Sequence, residues 1–109
     1  MSALLFLAQR TTAVVLALAV AVHLGTIVYA VRGGLTAADI LARTHGNLWF
    51  LTFYGVFVVA IAIHAPIGLR SILREWTPWR GRTLDVTLTL FALLLLGLGA
   101  RAVFAVFTA

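Results

Sequence analysis

The chain has no cysteine and no lysine, and it has few charged side chains of any kind. Without cysteine, it has no disulfides, no thiolate metal sites and no cofactor attached through a thioether. Charged residues are 10% of the chain and hydrophobic residues 63%, whereas soluble domains have roughly 25% charged residues. This composition excludes an ordinary soluble domain and indicates an integral membrane protein.

Three stretches that almost lack charge are long enough to cross a bilayer. Residues 11–31 and 46–69 contain no charged side chain, and residues 86–109 contain only Arg101. About 18–20 apolar residues span the hydrocarbon core as a helix. The first stretch also exceeds the roughly 7–15 apolar residues of a signal-peptide core. We therefore predict an all-α membrane protein, with residues 1–109 forming a single anchor domain of three transmembrane helices.

Local signals predict where the helices begin and end. The first helix covers about residues 4–31 and stops at a turn-forming Arg-Gly-Gly sequence. The second covers about residues 46–74, and the third runs from near Thr83 to the C-terminus. Between the first two, Thr36 and Asp39 have the spacing of a capping box, which predicts a short interfacial helix.

The arginines predict the orientation of the chain. Four of them lie at the end of the second long helix and in the segment before the third: Arg70, Arg74, Arg80 and Arg82. The positive-inside bias places this loop and the N-terminus in the cytoplasm, with the C-terminus outside, so the helices run up, down and up through a bacterial-type inner membrane. Since the arginines flank membrane segments, lipid headgroups are their expected partners, and nucleic acid is not.

Two histidines lie inside the apolar segments, His23 in the first and His64 in the second. An ionisable group at membrane depth is a functional-site hypothesis by default, and imidazole is a common ligand of haem iron. From Arg10 to His23 the helix rises about 20 Å, which puts Arg10 level with His64 and His23 well above both. Each histidine is therefore expected to ligate a different haem. The alternative is a core histidine bonded to a neighbouring carbonyl.

The residues around His64 favour a flat ligand. Gly68 lies one turn further along and would let a ring approach the backbone. Aromatic and small residues share the same helical face: Phe53, Phe57, Ala60 and Ile61. Arg10, at the inner edge of the first helix, is expected to face a haem propionate or a quinone oxygen. The alternative for Arg10 is a topology anchor that extends to the headgroups.

Two sequence elements resemble a known family. Arg10-Thr11-Thr12-Ala13 on the first helix and His64-x3-Gly68-x-Arg70 on the second, followed by Glu75, resemble the cytochrome b membrane-anchor subunit of succinate dehydrogenases and quinol:fumarate reductases. The resemblance extends over nearly the whole chain. It implies that His64 is an axial ligand of haem b, and that Arg10 lies between the haem propionate and the quinone.

The resemblance also implies partners and a role. The anchor would be a non-catalytic electron-transfer subunit that docks an iron–sulfur subunit and a flavoprotein on the cytoplasmic side. Some members have a quinone-binding serine where this chain has Phe6, so Thr11, Thr12 or Ser71 is expected to replace it, and Thr12 and Ser71 are the candidates expected to join Arg10 in binding quinone. His23 resembles a ligand of the outer haem in anchors with two stacked haems. Because those have five or six helices, a second anchor subunit or a second copy would share one or two haems b.

Other classes of protein fit less well. A small multidrug exporter would need an intramembrane carboxylate, whereas Asp39, Glu75 and Asp85 lie in predicted loops or at helix ends. A cofactor-free structural anchor of a respiratory complex leaves His64 unexplained. A haem b anchor of another membrane oxidoreductase remains a further alternative. The roles of His45 and Arg101 stay open.

Overall fold

The computed structural model describes residues 2–109 and consists of four α-helices. They are α1 (Ala3–Gly33), α2 (Ala37–Thr44), α3 (Leu48–Trp76) and α4 (Arg82–Thr108). The helices α1, α3 and α4 are long and apolar enough to cross a membrane, with mean hydropathies of 2.4, 2.0 and 2.3 over their most apolar windows. The prediction of an all-helical chain with three helices long and apolar enough to span a membrane is confirmed.

Capping residues set the helix ends within two or three residues of the predicted positions. At α2 the predicted capping box is present, because Thr36 Oγ1 accepts from the Asp39 backbone and Asp39 Oδ2 accepts from the Thr36 backbone. At α3 the side chain of Asn47 accepts from two backbone amides. Gly46, predicted to begin this helix, instead has a φ of 65° and belongs to the turn, since a positive φ breaks the helical geometry.

The helix α3 packs against both α1 and α4. Thr12 and His23 of α1 contact His64 and Tyr54 of α3, respectively, so the two helices are antiparallel. Arg70 of α3 pairs with Asp85 near the start of α4, so this pair is antiparallel as well. Both histidines therefore lie along one helix–helix interface.

The α3–α4 interface depends on small residues. A methyl group on Gly99 of α4 would lie 2.6 Å from Cγ1 of Val58 on α3, closer than side chains approach. Ala62 of α3 is buried too, beside Leu88 and Ala92 of α4. Small residues let helix backbones approach closely, which is how membrane helices gain van der Waals contact.

Residues at the turn between α2 and α3 form hydrogen bonds with the C-terminal end of α4. Thr44 Oγ1 donates to the Val106 carbonyl at 3.0 Å, and the Gly46 amide donates to the Phe107 carbonyl at 2.9 Å. The last carbonyls of a helix have no partner within it, so these two bonds satisfy groups that α4 leaves open.

Candidate functional site

His64 is bonded to α1 through one ring nitrogen. Its Nδ1 lies 3.2 Å from Oγ1 of Thr12, and that oxygen lies 2.7 Å from the Ala8 carbonyl and 3.2 Å from the Gln9 carbonyl. Thr12 is buried between the helices, and His64 is half-buried. The other ring nitrogen of His64, Nε2, has no hydrogen-bond partner among residues 2–109.

A second polar group, missed in the sequence, lies beside this pair. The amide nitrogen of Gln9 is 3.2 Å from where a methyl group on Gly68 would lie, so Gln9 occupies the space that the glycine leaves. The amide oxygen of Gln9 is buried and has no hydrogen-bond partner within the described chain. The signal was its position: Gln9 lies three residues before Thr12 and thus on the same helical face.

His23 has a different environment. Its Nδ1 lies 2.8 Å from the Tyr54 hydroxyl. The rings of Tyr54 and Phe57 meet the imidazole edge-on, with centroids 5.6 and 5.7 Å away. Tyr54 was not predicted, and Phe57, expected on the face of His64, lies against His23. Aromatic residues at helical spacing on α3 were the signal for this cluster.

The two histidines lie at different levels of the α1–α3 interface. His64 is level with Thr12, and 11 residues separate Thr12 from His23 along α1, a rise of roughly 16–17 Å. The predicted separation, measured from Arg10, was about 20 Å. No group of three or more His, Cys, Asp or Glu side chains comes together in the part of the chain that the structure describes. The two imidazoles are therefore separate candidate sites.

The three residues predicted to bind quinone make no hydrogen bond with one another. Arg10 is exposed, and its guanidinium lies 5.7 Å from the centroid of the Phe6 ring. Thr12 is buried against His64, and the Ser71 hydroxyl donates to the Ile67 carbonyl of its own helix. Arg10 has no carboxylate partner among residues 2–109, so its charge is free for a ligand.

An ion pair next to the α3–α4 turn joins the two helices. Arg70 Nε donates to Asp85 Oδ1 at 3.1 Å, beside a groove of about 470 Å³ that Pro66 and Ile67 also line. Arg80 donates to the carbonyls of Thr77 and Trp79, at 2.8 and 2.9 Å. Arg70 and Arg80 thus brace the turn, whereas the side chains of Arg74 and Arg82 make no hydrogen bond within the described chain.

The opposite end has a larger cavity, of about 580 Å³, next to α2. Its wall includes Tyr29, Arg43 and Trp49. Arg43 donates to the Gly34 carbonyl at 2.8 Å and lies over the Tyr29 ring. The hydrogen bond from the Thr36 hydroxyl, followed by that from the Thr36 amide, holds the pKa of Asp39 below its ordinary value.

The three long apolar helices indicate an integral membrane protein, and two hydroxyl-bonded imidazoles lie inside its α1–α3 interface. A comparison with family models, with curated proteins and with solved structures finds no match to this chain.

Proposed function

We propose that this chain is a haem b-binding membrane-anchor subunit of a succinate:quinone oxidoreductase. The observation that supports it most is the arrangement of His64: Nδ1 is held by Thr12, while Nε2 has no partner among residues 2–109. An imidazole at membrane depth is costly without a binding partner. Histidines that ligate metals ordinarily have their second nitrogen held by a hydrogen bond in this way.

His64 would hold the iron of an inner haem from one side. The opposite ligand would come from a second anchor subunit or from a second copy of the chain, because His23 is displaced by roughly 16–17 Å. His23 would hold an outer haem in the same shared manner. When bound, haem b supplies one-electron transfer at iron.

Two further observations fit a ligand beside α1 and α3. The Gln9 amide oxygen is buried without a partner among residues 2–109, and because it only accepts hydrogen bonds it would suit a group that donates, such as a quinol hydroxyl. Arg10 carries an unpaired charge near the same level, which suits a propionate or a quinone oxygen. In this proposal Arg10 and Ser71 border the quinone pocket, whereas Thr12 serves His64.

The proposal includes an orientation in a bacterial-type inner membrane. The N-terminus and the α3–α4 turn would face the cytoplasm, and α2 would lie at the outer interface. Exposed loop arginines such as Arg82, together with Trp76, would form the surface that docks the iron–sulfur subunit and, through it, the flavoprotein. The cluster of cations in a short loop supports this orientation.

The test is haem content in the complex purified with its soluble subunits. His64→Ala should abolish the α-band of the inner haem in a reduced-minus-oxidised spectrum. The matched control is His45→Ala, because His45 is exposed in the α2–α3 turn and should keep the band. A complex assembled with His64→Ala that retains its full spectrum would contradict the proposal.

A cofactor-free structural anchor is the second candidate. It is favoured by one observation: both Nδ1 atoms already have hydroxyl partners within the chain, as core histidines do. This candidate predicts a wild-type complex without haem, in which His64→Ala and Thr12→Val destabilise the anchor to a similar degree.

A further inference from the structure

We infer that Thr12 is a positioning residue, which fixes the tautomer of His64 so that Nε2 carries a lone pair and Nδ1 carries the proton. The tautomer follows from the hydrogen bonds of this chain, whereas its use in binding haem rests on the proposed function. This role also replaces the predicted contact between Thr12 and quinone.

The inference begins with the single proton of a threonine hydroxyl. Such a group has one O–H to donate and two lone pairs to accept with. Thr12 Oγ1 is 2.7 Å from the Ala8 carbonyl oxygen, the usual distance of an O–H···O hydrogen bond. The nearby Gln9 carbonyl, at 3.2 Å, is an acceptor as well. Because carbonyls only accept, the Thr12 proton is committed to α1.

The contact with His64 must then run in the other direction. Oγ1 of Thr12 has only lone pairs left, so Nδ1 of His64, 3.2 Å away, must be the donor. A neutral imidazole carries one N–H. Nε2 is therefore unprotonated and presents a lone pair, which is the form of the ring that ligates a metal.

Burial keeps this arrangement in place. Thr12 is only 8% exposed, and its hydroxyl lies between α1 and α3 at membrane depth, where water does not compete. An acceptor on the N–H of a ligating histidine fixes the orientation of the ring and raises its basicity. Thr12 would thus act on the iron only through His64.

The hydrogen bond between His23 and Tyr54 shows that a hydroxyl partner does not always fix the tautomer of a histidine. The Tyr54 hydroxyl donates to no backbone carbonyl among residues 2–109, so it can either donate to or accept from Nδ1 of His23. The tautomer of His23 is left open by its surroundings, while that of His64 is determined.

The first measurement needs no haem. Nitrogen NMR of the full chain in lipid bilayers, with labelled histidine and the His64 signals assigned by their loss in His64→Gln, reads the tautomer directly. The wild type should have a protonated Nδ1 and an unprotonated Nε2. Thr12→Val, which keeps the shape and removes the acceptor, should shift His64 towards the tautomer with Nε2 protonated.

Two variants serve as controls. Thr12→Ser keeps the hydroxyl and should retain the wild-type tautomer. Thr11→Val changes the same residue type at the exposed neighbouring position and should have no effect. A wild-type His64 with Nε2 protonated would overturn the inference even if Thr12→Val failed to fold, and so would an unchanged tautomer in a folded Thr12→Val.

The second measurement uses the complex with haem. Thr12→Val should weaken haem binding about 10- to 100-fold, the usual loss when an outer partner of a metal ligand is removed. It should also raise the haem midpoint potential, because a less basic imidazole stabilises ferric iron less. Thr12→Ser should restore both. An unchanged affinity and potential would overturn the positioning role, whereas a wild type without haem would overturn the proposed function and leave the NMR result to decide the tautomer.

Discussion

His64 and His23 lie on the same pair of antiparallel helices, yet their hydrogen bonds differ in kind. The partner of His64 is Thr12, whose proton is already given to the Ala8 carbonyl. The partner of His23 is Tyr54, whose hydroxyl donates to no backbone carbonyl among residues 2–109. A hydroxyl next to an imidazole therefore determines the state of the ring only when the hydroxyl proton is engaged elsewhere.

The surroundings of the two rings differ as well. His64 lies among polar and small residues, Gln9, Thr12 and Gly68, and one amide oxygen there lacks a partner. His23 lies against the edges of Tyr54 and Phe57. The surroundings of His64 include a buried acceptor without a partner, whereas those of His23 are an aromatic cluster. His64 is therefore the stronger candidate for a metal ligand.

The largest expected effect comes from removing each imidazole in turn. If both histidines hold haem, a pyridine haemochrome assay should give more than one haem per enzyme. His23→Ala should then remove one of two components resolved in a redox titration and leave the His64 component. A single haem that is untouched by His23→Ala would show that His23 is a packing residue. Only His64 would then be a haem ligand.

The second-largest expected effect comes from removing the charge of Arg10, which lies at the same end of the α1–α3 interface as His64. Arg10→Ala should lower quinone-linked turnover more than succinate oxidation with an artificial acceptor, because the unpaired guanidinium would bind quinone or propionate. Arg32→Ala, at the other end of α1, is the control and should leave the ratio of the two rates unchanged. An equal loss in both assays for Arg10→Ala would indicate an assembly defect.

A glycine on α4 tests whether the histidine sites depend on α1 and α3 alone. Gly99→Ala should destabilise the chain by about 1–3 kcal/mol, because the new methyl overlaps Val58. Gly97→Ala is matched on the same helix and meets nothing within 4 Å, so it should be tolerated. Thermal unfolding measures both. Retained haem per folded Gly99→Ala protein is expected, and loss at only one histidine would show that α4 supports that site.

The smallest expected effect is a pH dependence at the His23 end. Since the pKa of Asp39 is lowered, its carboxylate stabilises α2 above the unfolded value of about 3.9, and this is lost as pH falls through the folded value. The protection factors of the Ile40 and Leu41 amides, which correct the exchange rates for their intrinsic pH dependence, should fall a few-fold on acidification. In Asp39→Asn the protection should be low already and insensitive to pH in this range.

The sequence predicted the features that depend on local composition. The three long helices follow from charge-free length, which tertiary contacts do not alter, and the Thr36–Asp39 capping box follows from residues three apart. The separate levels of His23 and His64 follow from helical rise. Each of these needs only one helix at a time.

The partners of the histidines could not be predicted, because they depend on how α1 is rotated and shifted against α3. A shift of one turn would have paired His64 with Ala8 or Leu16 and left Thr12 elsewhere. Tyr54 was overlooked for the same reason. Gly68 was expected to make room for a ring, and its partner Gln9 becomes visible only once α1 is packed against it.

The most direct test of His64 as a haem ligand is chemical rescue. In the complex carrying His64→Gly, the α-band of the inner haem should be lost, and added imidazole should restore it by filling the space and binding the iron. His45→Gly, treated identically, should neither lose the band nor respond to imidazole. An α-band that persists in the assembled His64→Gly complex without imidazole would contradict the proposal that His64 ligates haem b.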